Sequence, residues 1–114
     1  MKELIRVGLF ILATVFSIHT NAQSAIERGE QIFDTWCTAC HDDTRRTPGT
    51  AALAAKYQGA LPALLEERTD LTPEIVALWV RNGISIMPFF RKTEINDAQL
   101  ADLGAYLSRN NPNR

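Results

Sequence analysis

Cys37-Thr38-Ala39-Cys40-His41 is the stretch that decides how this chain is read. Two thiols separated by two residues, with a histidine directly after the second, match the attachment site of a c-type haem. Each position in that spacing has a chemical reason. The two thiols add across the two vinyl groups of one porphyrin. The adjacent imidazole is then held under the ring, where it can bind iron as the proximal ligand. Cys37 and Cys40 are the only cysteines in the 114 residues, so no thiol is left over for a second role.

Three plainer readings of the pair fare worse than the haem reading, which outweighs a chance pentapeptide in a chain this short. A redox disulfide of this spacing sits beside a βαβ pattern, and no strand-rich stretch appears here. A structural zinc site takes about four Cys or His ligands, more than the chain can supply. A protein stapled by a Cys37–Cys40 disulfide would leave His41 without a purpose.

The beginning of the chain reads as a secretory signal peptide. Lys2 and Arg6 form a basic head, Val7 to Ile18 is almost wholly apolar, and Thr20-Asn21-Ala22 offers a cleavage point. The apolar run is about twelve residues, short of the ~20 that a spanning helix needs. Residues 1–22 are therefore expected to be removed, leaving residues 23–114 as one domain in a bacterial periplasm, with no stable membrane span. His41 is then the only histidine and Met87 the only methionine. Losing Lys2, Arg6 and Glu3 from the 12 basic and 13 acidic residues leaves a charge near −2. Neither nucleic acid, which needs a basic face, nor an anionic membrane surface is suggested.

A domain of about 90 residues is marginal unless something supplements its core. A covalently held haem would supply a large apolar plate, and the chain without it is expected to fold poorly.

The helices announce themselves by their caps. Ser24-Ala25-Ile26-Glu27 is a capping box, and Ile26, Gly29, Phe33 and Trp36 follow at helical steps as far as Cys37. Gly29 inside that face points to a close approach by another backbone or ring. Asn96-Asp97-Ala98-Gln99 is a second box, followed by Leu100, Leu103, Gly104 and Leu107, with Tyr106 beside them and Asn110-Asn111-Pro112 as the stop. The glycine in each terminal helix would let the two cross closely, and Pro112 onward reads as a frayed tail. Between them, short helices are expected over Ala51 to Tyr57 and Pro62 to Arg68. Thr72-Pro73-Glu74 opens another, which ends at Asn82-Gly83. Ile84 to Phe90 reads as an extended, proline-broken loop. The fold class is all-α.

In order along the chain, these features resemble a class I c-type cytochrome: a first helix with Gly29 and Phe33, the Cys37–His41 motif, Met87-Pro88 in a loop, and a last helix with Tyr106. The resemblance covers nearly the whole mature chain. It implies crossing terminal helices around one covalently attached haem c, with aromatic residues near the crossing. With His41 below the ring, Met87 is the remaining soft or imidazole-type ligand of the mature chain, and thioether ligation raises the reduction potential. Lys56, Lys92 and an open site are the alternatives. The family also implies that the Pro48 carbonyl accepts from His41 Nδ1, although Asp42 to Thr47 replaces a frequent glycine-rich loop. Trp79 is a candidate donor to a haem carboxylate or a core residue. Arg45, Arg46, Arg81 and Arg91 are candidate propionate partners.

An iron saturated by two protein ligands offers no easy place for substrate. The expectation is a one-electron carrier with redox protein partners and no enzyme activity of its own. Val80-Arg81-Asn82-Gly83 and Met87-Pro88-Phe89-Phe90 resemble the small cytochrome of p-cresol methylhydroxylase-type flavocytochromes, which implies a flavoprotein dehydrogenase as one possible donor. Phe89 and Phe90 are candidates for an apolar docking patch. The rival class is a haem sensor or peroxidase-like enzyme with a weak or open sixth position.

Overall fold

Ser24 and Glu27 close the first helix as the sequence dictates. The Ser24 hydroxyl accepts from Glu27 N at 3.2 Å, and the Glu27 carboxylate accepts from Ser24 N at 2.7 Å. The computed structural model describes residues 23–44 and 46–114, so the expected signal peptide over 1–22 and Arg45 lie outside the described residues. Helix α1 spans Ala25–Trp36 and buries Gly29, Ile32 and Phe33 along one face. Trp36, at its end, keeps 38% of its surface and meets Phe90 edge-on at 6.0 Å.

Cys37 ends α1 and begins the single turn α2, Thr38–His41. Its carbonyl accepts from Cys40 N at 3.1 Å and from His41 N at 2.8 Å. The pentapeptide is thus one helical turn, and three-residue spacing brings the two thiols to one side of it.

Helix α3, Pro48–Tyr57, begins three residues earlier than the alanine-rich run suggests. Proline with its fixed φ and missing N–H suits the first helical position. The helix ends at Gln58, which is left-handed at φ 48°. The helix expected over Pro62 to Arg68 shrinks to one 3-10 turn, Leu65–Glu67. Tertiary partners replace the helical ladder there. The Glu66 carbonyl accepts from Asn110 Nδ2 at 2.8 Å and Arg109 Nη2 at 3.2 Å. Arg68 is buried, forked onto Asp70 at 2.6 Å through two nitrogens and stacked on Tyr57.

Helix α4, Pro73–Asn82, is capped by Thr72 and ends at Gly83 with φ 70°. Helix α5, Asp97–Leu107, carries the expected second capping box, formed by Asn96 and Gln99. Among the described residues there is no strand beyond an isolated bridge between Ile84 and Met87.

The terminal helices α1 and α5 cross at Gly29. A methyl group there would lie 2.1 Å from the Asp102 carbonyl oxygen and 2.6 Å from Tyr106 Cβ. Phe33 and Tyr106 stack beside the crossing, 5.8 Å apart and tilted by 52°. Gly104 does not serve the crossing as expected. It faces the start of α4, where a methyl group would lie 3.1 Å from Pro73. The core joins Ile32 and Phe33 of α1 to Val76 and Val80 of α4 and to Leu100, Leu103 and Leu107 of α5. The last tie to the core is Asn111, which is buried and donates to the Leu71 carbonyl at 2.8 Å, while residues 112–114 beyond it are exposed.

Candidate haem site

Helices α1 to α5 leave one side of this core open as an apolar cavity. It holds about 670 Å³ between atoms, part of it open to solvent. Cys37 and His41 line it from the pentapeptide, and Met87 lines it from the loop after α4. Trp79 and Val80 of α4 and Leu103 and Leu107 of α5 supply further wall, while Leu53, Lys56 and Tyr57 come from α3. Residues 46 positions apart in sequence, His41 and Met87, therefore face one space.

Burial sets the electrostatics of the turn. The Cys37 thiol is pushed up to about 12 by desolvation first and by Cys40 second. A dithiol oxidoreductase depends on a shift in the opposite direction. Burial lowers the His41 pKa, favouring the neutral imidazole that binds metal. Among the described residues no group of three or more His, Cys, Asp or Glu side chains gathers to hold a metal ion directly.

His41 Nδ1 is buried and has no hydrogen-bond partner among the described residues. The bond expected to the Pro48 carbonyl is therefore not made. Pro48 opens α3, which commits its carbonyl to the helix ladder. The residue after it does touch the ring: a methyl group on Gly49 would lie 2.7 Å from His41 Cε1 and 2.6 Å from the Cys40 carbonyl oxygen. Thr50, fully buried, donates its hydroxyl to the Asp42 carbonyl at 2.7 Å and closes the Asp42–Thr47 loop against α3.

Met87 sits in a tight turn. Met87 N donates to the Ile84 carbonyl at 2.9 Å, Ile84 N donates to the Met87 carbonyl at 3.2 Å, and Ser85 takes a positive φ of 54°. Of the basic residues expected near propionates, Arg81 is committed to Phe90, Ile95 and Asp97, and Arg91 to Glu94. Arg46 is exposed, and Lys56 is the basic side chain on the cavity wall. Gly49 and Thr50 escaped the sequence reading. Their signal was a proline followed by glycine and threonine at a helix start, just after the thiol–imidazole turn.

The donor set fits a haem c: two thiols on one turn, a half-buried imidazole beside them whose burial favours the neutral form, an apolar slot, and a thioether on its wall. Together with the all-α fold, this defines a small haem-binding cytochrome domain. The family model described as "Cytochrome C oxidase, cbb3-type, subunit III" matches residues 24–107, and the chain belongs to this family of class I c-type cytochromes. It is 34% identical over 110 residues to cytochrome c6 of Picosynechococcus sp., covering 95% of this chain and 93% of that one. It is 31% identical over 107 residues to cytochrome c6 of Cyanidioschyzon merolae, covering 94% and 92%. A chain in the crystal structure of p-cresol methylhydroxylase with substrate bound matches with a TM-score of 0.51 and 28% identity, covering 75% of this chain and 95% of that one. The protein carries covalently bound haem c and is a haem electron carrier.

Proposed function

We propose that the protein is an exported one-electron carrier in which Cys37 and Cys40 bear the haem and His41 and Met87 are the axial ligands. One observation carries the ligand assignment: His41 and Met87 line the same apolar cavity. Bound haem c supplies a reversible ferrous–ferric couple. The chain's own residues provide the rest. Cys37 and Cys40 tether the group, His41 donates a neutral imidazole, and the thioether of Met87 favours the reduced state. Trp79, Val80 and Leu103 exclude water from the slot, and Trp79 is placed on the wall as a candidate donor to a haem carboxylate. With both axial positions taken, the protein has no enzymatic step of its own.

The electron donor we propose is a flavoprotein dehydrogenase acting on an alkylphenol, delivering electrons that pass on to a respiratory acceptor. Support comes from the likeness to a chain of p-cresol methylhydroxylase and from the Val80–Gly83 and Met87–Phe90 segments. Phe89, 60% exposed, and Ile86, 75% exposed, form an apolar surface beside Met87 that suits a protein partner. Phe90 instead turns inward onto Trp36. We place the protein in the periplasm, on the strength of the leader-like residues 1–22; among the described residues no helix is long and apolar enough to cross a membrane.

The ligand assignment is tested on Met87→Ala. The ferric iron–methionine charge-transfer band should be present in the parent protein and vanish in the variant. A parent without the band that binds cyanide readily would instead identify a sensor or peroxidase with an open position. Co-elution of haem and flavin absorbance at low salt, from the native host, tests the partner. A small red species eluting alone would argue against a stable flavoprotein complex.

A further inference from the structure

The segment from Gly83 to Asn96 carries Met87 yet contains no helix, so something other than a helical ladder must hold it. Its own backbone supplies the Ile84–Met87 turn and a second turn in which Glu94 N and Ile95 N both donate to the Arg91 carbonyl at 3.0 Å. Two backbone bonds join the segment back to α4, from Gly83 N to the Trp79 carbonyl and, beyond Met87, from Phe90 N to the Val80 carbonyl, each at 2.7 Å. Glu94 bonds Arg91 within the second turn, Lys92 reaches Asp97, and Asn96 caps α5, but the side-chain bonds from α4 to this segment and to the start of α5 converge on one group. Arg81 Nη1 donates to the Phe90 carbonyl at 3.2 Å and to the Ile95 carbonyl at 2.8 Å, and Nη2 donates to Asp97 Oδ1 at 2.9 Å.

We propose that Arg81 is the positioning residue for Met87: its guanidinium clamps the loop beyond Met87 to α4 and to the start of α5, and so holds the thioether on the cavity wall. The inference rests on the reading of Met87 as an axial ligand. Three acceptors lie on both sides of the second turn, and the planar fork of arginine serves them from one rigid group. Ile95 is fully buried, so its carbonyl has no water to turn to if the guanidinium is lost. Gly83 stands two residues beyond Arg81, and a methyl group there would lie 2.6 Å from the Met87 carbonyl oxygen. A loop pressed that closely on α4 transmits any movement at Phe90 to Met87 three residues away. Lys92, which shares Asp97 at 2.9 Å, reaches none of the backbone acceptors given for Arg81.

The test uses the full haem-loaded protein and begins with the parent and Met87→Ala, which establish that the charge-transfer band exists and depends on Met87. Cyanide affinity of the ferric protein then reports how often the Met87 position is open, because apparent affinity scales with the competent fraction. Arg81→Leu should weaken the band and tighten cyanide binding about tenfold, the size of effect typical when a partner of a metal ligand is lost. Arg81→Lys, which keeps one charge but not the fork, should fall between parent and Arg81→Leu. Asp97→Asn, which leaves both carbonyl contacts in place, should shift cyanide affinity less than Arg81→Leu does. If Arg81→Leu fails to fold, Arg81→Lys carries the same measurement. A lower unfolding midpoint with unchanged band and cyanide affinity would overturn the proposal, since a merely structural arginine would do that. A parent band that is absent, or that survives Met87→Ala, brings down the ligand assignment and the proposal together.

Discussion

Gly49 is the residue whose side chain is most constrained by the haem site, because it has none. Its Cα rests against the His41 ring and the Cys40 carbonyl, leaving no volume for a methyl group. Gly49→Ala must push either α3 or the imidazole aside, an overpacking cost of about 1–3 kcal/mol. The expected outcome is a lower thermal midpoint together with a shifted haem absorption spectrum; a lower midpoint with an unchanged spectrum would mean that α3 alone gave way. At the same scale, burial lowers the His41 pKa and raises that of Cys37. Both shifts have the same leading cause, burial in the apolar turn, and both favour the uncharged form of the group.

Pairs of helices depend on fewer contacts than their length suggests. The α1–α5 crossing turns on Gly29, where a methyl group would meet backbone that has no room to yield. Gly29→Ala is expected to destabilise by about 3 kcal/mol, read as a drop in denaturant midpoint at unchanged slope. The same crossing is pinned by Arg28, which donates to Asp102 through Nε at 2.8 Å and Nη2 at 3.0 Å. Those hydrogen bonds hold the Asp102 carboxyl below the usual carboxylate range. A carboxyl with a lower pKa folded than unfolded stabilises fully above the unfolded value, and the contribution fades as pH falls through the folded one. Arg28→Gln should therefore narrow its stability gap from the parent as the pH drops from 5 toward 2, in urea melts at several pH values. The effect will be small, because Arg28 is nearly half exposed and solvent screens the pair. A gap independent of pH would show that the ion pair contributes nothing.

For the molecule as a whole, the cavity is the main structural fact. A domain this small buries limited apolar surface, and here α3, α4, α5 and the pentapeptide turn line a slot where other small domains would have side chains. Protein produced without haem attachment should lose most of its helical circular dichroism, or retain it without a cooperative melt. Full helicity with a sharp transition in the apoprotein would mean that the α1–α5 crossing and the ties from Glu66 to Asn110 and Arg109 suffice alone. Those ties anchor the 3-10 turn to the end of α5, beside the cavity residues Leu65 and Leu107.

Much of this architecture was legible in the chain because its determinants are local. Both capping boxes and the Thr72 cap join residues three apart, so Ser24, Thr72 and Asn96 could be read as helix starts without a fold. The pentapeptide turn is equally local, and its covalent chemistry names the cofactor. What stayed hidden joins distant residues. Gly104 could not be assigned to α4 rather than α1, since any apolar helix face accepts either neighbour. The Pro62–Arg68 segment has helical composition, but Asn110, 44 residues on, claims its backbone instead. Pro48 was expected to serve His41, and became the first residue of a helix. Arg81 read as one of four candidate propionate partners until the chain returned Ile95 and Asp97, 14 and 16 residues later, to its guanidinium. The cofactor, the capped starts of α1, α4 and α5 and the all-α class follow from the chain alone, because short-range hydrogen bonds and covalent spacing need no partner from elsewhere. Only the tertiary structure decided which backbone lies against Gly29, Gly49 and Gly104 and which carbonyls Arg81 holds, because packing chooses among long-range contacts of nearly equal local cost.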